Sequence, residues 1–463
     1  MSHRLSLIAV ALLLGTMAPA SADDLEIGLA TADITPPVGY RMSGYFSERA
    51  STGVKDPLKA KAIVYRQGLV EGAMVFCDLI GIDKSTGDAI RAAVAEQANI
   101  PASNVSVAAT HSHTGPLCEG VLRDHFHARA IASKGVDAHE SMDYAAFLVK
   151  TVAGTVAQAK RGLKASGIAS AVGRGPEVSF NRRFEMKDGT NRFNPGLRNP
   201  EIRRVLGPID PEVGLLAFTP RGESTPAGSL AVFALHLDTV GGTAYSADYP
   251  AVIAEKLGER YGPRFLSAFG AGTCGDINHI DVRAATIRKT AEIGRLLAEV
   301  PLREIPGMVP FEPMLRIESK VVEVPALRID AAEVARSLPV LDRLGDPKLP
   351  FLEAVRAVTA IDLNRNYKAG VVPIEVQAWR LGRETAVVFL PGEVFVEHGL
   401  ATKKASPFRV TLVVELANSC PHYIPTLKAC REGSYEVVNS RIAPGGGEAM
   451  VAAAVELLTR LRP

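Results

Sequence analysis

Three stretches of the chain repeat one order: an unbroken apolar run, a helix-like segment, and a second apolar run. The first is "AMVFCDLIGI" (Ala73 to Ile82), "STGDAIRAAVAEQ" and "NVSVAAT". The second goes from "SLAVFALH" through the segment after Tyr249-Pro250 to "RFLSAFGAG". The third goes from "TAVVFLPGE" through Val396 to Lys403 to "FRVTLVVELANS". Strands that are apolar at every position are covered on both faces, and the strand–helix–strand order supplies the crossover that parallel neighbours need. "RIESKVVEV" and "PIEVQAWRLG" alternate more cleanly and read as antiparallel strands. The expected fold is therefore α/β, with mixed, partly parallel β-sheets flanked by helices. Two segments fall outside the pattern, Leu117 to Met142 and Asp330 to Lys368. Each is an insertion that forms either a lid or a surface excursion.

The first 22 residues stand apart from the fold. His3 and Arg4 precede the apolar "LSLIAVALLLGTMA", and "ASA" stands before Asp23, the pattern of a secretory signal peptide over 1–22. The apolar run is shorter than the ~20 residues that span a bilayer. The expectation is a periplasmic or secreted mature protein, 23–463, with no transmembrane segment. Lys and Arg number 52 against 50 Asp and Glu, a balance that argues against nucleic acid or a strongly anionic surface as partner. Five cysteines (Cys77, Cys118, Cys274, Cys420, Cys430) are few for an exported chain of this length. Cys420 and Cys430 are candidates for a bridge, and the odd count leaves a free thiol. No C-x-x-C pattern exists, so any metal has His and oxygen ligands.

Ligands in open α/β sheets collect at the carboxyl ends of the parallel strands. Here those ends carry Asp78 and then His111 and His113; His236 and Asp238, followed by "GTCGDIN"; and Glu393, followed by "CPHY" with His422 and Tyr423. His111 and His113 share one strand face only if the backbone stays extended, whereas a loop from Thr110 lets them converge at different depths. Neutral imidazoles with one carboxylate suit catalytic zinc, which keeps a position open and acidifies a water molecule. Other polar residues have plainer readings. His125 and His127 lie in the charged "RDHFHARA" and read as surface or substrate-loop residues. His279 lines the site or caps a turn, and Asp276 orients a histidine or caps the next segment. Asp248 reads as a helix N-cap before Pro250. "APGGGEA" lacks the Lys-Ser/Thr of a phosphate loop and reads as a flexible turn.

Taken together, these segments resemble the neutral (alkaline, non-lysosomal) ceramidases along nearly the whole mature chain. The likeness runs from "IGLATADITPPVGYRMSGY" and "GVKDPLKAKAIVY" to "YEVVNSRIAPGGGEA", and "ATHSHTGP" resembles that family's most specific signature. The resemblance implies one zinc ion per chain, held by His111, His236 ("FALHLDT"), Glu393 ("LPGEVF") and Tyr423 ("PHYIPT"). It implies His113 as the acid/base beside the metal, Tyr435 ("SYE") as a donor to the developing oxyanion, and Arg182 ("FNRRF") as a residue holding the scissile carbonyl. Asp78, Asp276 and Asn278 are the expected substrate-binding or supporting residues. Asn278 stands in "CGDIN" where many ceramidases carry Ser in Gly-Asp-Val-Ser-Pro, which favours metal-assisted over serine chemistry. The family's longer members continue into an immunoglobulin-like C-terminal domain, and the expectation here is the catalytic domain alone. The implied activity is cleavage of the N-acyl amide of ceramide, or of a ceramide-like substrate, to a fatty acid and an amine such as sphingosine. A zinc esterase or deacylase acting on another amide, ester or glycan shares the chemistry. A non-catalytic binding protein shares only the fold. The oligomeric state is left open.

Overall fold

The computed structural model describes residues 24–462; the expected signal peptide lies outside the described residues. Eight strands form the larger sheet: β1 (Glu26–Asp33), β2 (Lys59–Gln67), β3 (Val70–Cys77), β4 (Val105–Ala109), β5 (Lys164–Arg174), β6 (Glu212–Pro220), β7 (Gly228–Phe233) and β8 (Leu266–Ala271). Their spatial order is β8-β7-β6-β5-β1-β2-β3-β4. A smaller sheet takes β9 (Pro313–Pro325), β10 (Val371–Gly382), β11 (Thr385–Phe389) and β12 (Val410–Val414) in that order. The longer helices are α1 (Lys84–Ala98), α2 (Gly120–Lys134), α3 (Tyr144–Arg161), α4 (Tyr249–Tyr261), α5 (Thr290–Glu304), α6 (Ala331–Leu341), α7 (Phe351–Asn366), α8 (Val396–Ala405) and α9 (Gly446–Arg460).

Each of the three repeated units is a parallel pair closed by a helix: β3 with β4 through α1, β7 with β8 through α4, and β11 with β12 through α8. The other neighbours in both sheets are antiparallel. The unbroken apolar runs thus report burial on both faces more than they report direction. In β2, Ala60, Ala62 and Val64 pack outward against Ile90 of α1 and Val152 of α3. Ile63 and Tyr65 point the other way, into a core shared with Trp379, Phe389 and Leu412 of the smaller sheet. The two sheets are therefore stacked face to face, with helices on both outer surfaces. The second half of the large sheet is covered by Ile253 and Leu257 of α4 and by Ile293 and Leu297 of α5. The small sheet is covered by Met450, Ala454 and Leu457 of α9.

Local choices fix the connections. Asp248 caps α4 as expected, accepting from the Tyr249 amide at 2.6 Å with Pro250 in the first turn. "APGGGEA" is not a flexible turn: Gly446 and Gly447 are buried in the first turn of α9. A Cβ on Gly447 would lie 2.2 Å from His398 Nε2, so the glycine lets α9 pack directly on α8. Both insertions are helical and pack on one another through Phe126, Leu341, Leu344, Ala354 and Val358. They form one cap with a small core of its own. All five cysteines are free, so Cys420 and Cys430 are not bridged. Cys420 faces a cavity, while Cys430 sits on the helical turn Leu427–Glu432. No helix among the described residues is long and apolar enough to cross a membrane.

Candidate active site

The two histidines one residue apart do not share a strand face. β4 ends at Ala109, and the chain bends at His111, whose φ of +77° is unusual for a residue with a side chain. The bend is held by its surroundings. The His111 amide donates to Leu79 O at 2.9 Å, and its Nδ1 bonds Ile80 O at 2.8 Å. His113 then places Nδ1 3.2 Å from Gly44 O, and His236, beyond β7, places Nδ1 2.8 Å from Cys274 O. Each Nδ1 thus carries its proton towards a backbone carbonyl, which leaves every Nε2 with a lone pair. Glu393 arrives from the third unit through Gly392, at φ +79°, where a Cβ would stand 2.6 Å from His422 O.

The lone pairs converge. His111 Nε2 lies 3.0 Å from His236 Nε2 and 3.3 Å from Glu393 Oε2, and His236 Nε2 lies 3.6 Å from that oxygen. Ligand atoms around a tetrahedral zinc are about 3.3 Å apart, given bonds of ~2.0 Å. The triangle therefore has the size of one face of such a site. Glu393 Oε2 is buried without a hydrogen-bond partner, which is costly unless something positive belongs there. His113 Nε2 is 3.3 Å from His111 Nε2, and the three imidazoles form a group compact enough for an ion. The residues fit a divalent metal.

Charge around the cluster is divided. Burial, with His111 and His236 beside it, pushes His113 down to about 3. Burial, Arg182 and His111 push His236 down to about 4. At His111 the burial penalty is outweighed by Glu393, so its pKa is raised. Burial acts against ionised Glu393 too, yet the same imidazoles hold it well below the usual carboxylate range. Positive charge is thus favoured where His111 and Glu393 meet, among otherwise neutral rings.

Behind this cluster stands a polar frame. Arg182 is buried, and its Nη2 donates to Tyr423 OH at 3.0 Å and to Gly275 O at 2.9 Å. Its Nη1 lies 3.2 Å from His236 Nε2, and its Nε donates to Glu436 at 2.9 Å. Tyr435 packs edge-on against Tyr423 with ring centres 5.3 Å apart, and Asn439 Nδ2 donates to its hydroxyl at 3.3 Å. His111, His113, Glu393, Tyr423 and Tyr435 all line one cavity of about 430 Å³, with His236 and Arg182 behind its wall. The cap supplies its roof through Val121, Leu122, Val358 and Tyr367. Both insertions thus act as a lid over the strand ends.

The supporting residues stand further back. Asp78 accepts from the Lys59 amide at 2.9 Å and from Thr110 Oγ1 at 3.3 Å, just before His111. Asp276 accepts from the Val396 amide at 2.8 Å and from Asn181 at 2.6 Å, which ties the Glu393 segment to the neighbour of Arg182. Asn278 bonds Asn194 at 2.7 Å and does not line the cavity. His279 pairs with Asp238 at 3.0 Å. His125 and His127 lie on α2, and His127 joins Asp137 at 2.8 Å in a network where Asp137 pairs with Arg41 and Glu140 pairs with Arg41 and Arg123. Several buried acids carry no signal in the sequence, and two of them brace the segments of the cluster. Glu436 adjoins Tyr435 in "SYE". Glu415 accepts from the Val394 amide at 2.6 Å and from Cys274 Sγ at 3.0 Å, so it links the Glu393 and His236 segments.

A profile of the family described as neutral/alkaline non-lysosomal ceramidase, N-terminal, matches residues 25–288 of the 463. His111, His113, Arg182 and His236 lie inside that span, and Glu393, Tyr423 and Tyr435 lie beyond it. The fold is similar to that of the neutral ceramidase from Pseudomonas aeruginosa, at 20% identity over 95% of this chain and 75% of that one, with a TM-score of 0.68. It is also similar to a ceramidase complexed with C2, at 21% identity over 95% and 76% of the two chains, with a TM-score of 0.67. No curated protein matches the sequence.

Proposed function

The chain belongs to the neutral/alkaline non-lysosomal ceramidase family, and from that premise we propose that it is an exported, zinc-dependent amidohydrolase. Its substrate is ceramide or a ceramide-like N-acyl amide, cleaved to a fatty acid and an amine. One observation carries the reading: the convergence of His111, His236 and the unpartnered Glu393 oxygen beside two tyrosines at the wall of one cavity. Those three residues and Tyr423 would hold the zinc ion, which supplies polarisation of the scissile carbonyl and acidification of a water molecule.

The remaining roles follow from hydrogen bonds. His113 keeps Nδ1–H on Gly44 O, so its Nε2 takes a proton from the attacking water and returns it to the leaving amine. Tyr435 receives a hydrogen bond from Asn439, so its own proton remains for the oxyanion. Arg182 donates to the Tyr423 oxygen at 3.0 Å and so fixes it beside the cluster. Export rests on the segment 1–22. The test is hydrolysis of ceramides, N-acyl amino acids and simple esters with and without a chelator. Chelator-sensitive release of fatty acid from the amides is expected; hydrolysis of esters alone, or turnover indifferent to the chelator, would overturn the proposal.

A further inference from the structure

The imidazole of His113 is aimed by the loop between β1 and β2. Gly44 of that loop, at φ +100°, offers the carbonyl that Nδ1 bonds at 3.2 Å. A Cβ on Gly44 would stand 2.5 Å from His113 O, so the loop lies directly on the His113 peptide. Further along the same loop, Arg49 grips both sides of this contact. Its Nη2 donates to Ser43 O, just before Gly44, and to His113 O at 3.1 Å. Its Nη1 donates to Gly242 O at 3.0 Å, in the turn that follows His236. The guanidinium also covers the Tyr45 ring at 4.1 Å, and that ring stands edge-on to His113 with centres 6.3 Å apart. One side chain thus ties together the residues flanking Gly44, the His113 carbonyl and the segment that carries His236.

Stability does not account for an arginine here. Its hydrogen bonds all run to backbone carbonyls, no carboxylate among the described residues pairs with it, and its Nε is buried without a partner. Burial pushes its pKa down, with only the Tyr45 phenol opposing. A half-buried charge of this kind costs free energy that a neutral side chain would not. What the guanidinium offers is shape: a planar fork that takes several carbonyls at fixed angles while stacking on a ring, which an ammonium does not reproduce. We propose that Arg49 is the positioning residue for the acid/base, fixing the His113 peptide and the Gly44 carbonyl so that His113 Nε2 faces the reacting water and amine. Arg49 does not line the cavity, so it acts through His113. The inference rests on the amidohydrolase reading, in which His113 moves that proton, and adds the residue that aims it.

The test is a double-mutant cycle on the full chain, with wild type, Arg49→Met, His113→Ala and the double variant. Displacing a catalytic group by about 1 Å costs up to about 100-fold, so Arg49→Met should lose about 10- to 100-fold in kcat, with KM within about twofold. Zinc content and melting temperature should stay near wild type. In the His113→Ala background the same change should cost less than about twofold, because the group it positions is gone. Arg49→Lys, which keeps the charge without the fork, should fall with Arg49→Met. Losses that add in the double variant, or a lower melting temperature with kcat unchanged, would overturn the positioning role while leaving the amidase reading intact. A second readout needs no turnover. The Nδ1 proton of His113, held against Gly44 O, should give a downfield NMR signal that is identified by its absence in His113→Ala. It should shift or broaden in Arg49→Met, and an unchanged signal would overturn the proposal. A shifted signal in a protein that hydrolyses no amide would support the positioning and overturn the reaction.

Discussion

Replacing Tyr435 by Phe removes one oxygen and little else. The ring keeps its neighbours, Phe193 with centres 4.8 Å away, Phe351 at 5.2 Å and Tyr423 at 5.3 Å. The hydroxyl receives two long hydrogen bonds, from Asn439 Nδ2 at 3.3 Å and Tyr423 OH at 3.5 Å. Their loss should lower stability by about 1 kcal/mol. The catalytic cost should be larger, because the phenol proton is aimed at charge that develops only in the transition state. Losing one such donor costs about 2.7 to 4 kcal/mol, or two to three powers of ten in kcat. KM should move far less, and zinc content should stay at the wild-type level. Steady-state kinetics on a short-chain N-acyl amide, read beside a melting curve and metal analysis, separates these effects. Tyr423→Phe is the contrast. Its oxygen is the one Arg182 supports at 3.0 Å, so metal retention should weaken there. A loss of kcat below about fivefold in Tyr435→Phe would refute the assignment of its hydroxyl to the oxyanion.

Other variants probe the frame around the site. His113→Ala should lose about two to four powers of ten in kcat/KM and one limb of the pH profile, as expected for an acid/base group; an unchanged profile would remove that role. Arg182→Met leaves Glu436 wholly buried with only Arg183 Nε at 3.6 Å, and denaturant unfolding should show a loss of about 3 to 5 kcal/mol. Glu415 is wholly buried, and burial raises its carboxyl to about 8. The folded state therefore holds a proton that the unfolded chain releases near its ordinary value. The resulting stabilisation is full at low pH and is lost as pH rises through about 8, at roughly 1.4 kcal/mol per pH unit between the two values. Glu415→Gln, which keeps an acceptor for the Val394 amide and replaces the acceptor for Cys274 Sγ with an amide donor, should flatten that slope in melting curves; parallel curves would contradict it.

Much of this was legible in the sequence because its signals are local. The three strand–helix–strand units, the Asp248 cap and the polar residues at strand ends follow from runs and spacings that depend on a few neighbouring residues. What was not legible depends on distant partners. Apolar residues at every position of β2 mean two covered faces, but the second cover is another sheet, and nothing in β2 names it. The segments around α2 and α7 show helical patterns without showing that they pack on each other above His111. Glu415 and Glu436 read like any surface glutamates, since burial of an acid is decided by Cys274, Arg182 and Arg183 from far along the chain. "APGGGEA" looked flexible because glycine marks both freedom and close packing, and only the approach of His398 distinguishes them.

The central claim is that residues from three separate units hold one zinc ion at their strand ends. Metal content of the purified protein, measured by mass spectrometry after exhaustive dialysis, tests it most directly when wild type is set beside His111→Ala, His236→Ala, Glu393→Ala and His113→Ala. One zinc per chain is expected in wild type and in His113→Ala, with loss in each of the other three. Wild-type protein without stoichiometric zinc, before or after adding it, or zinc that survives removal of His111 or Glu393, would contradict it.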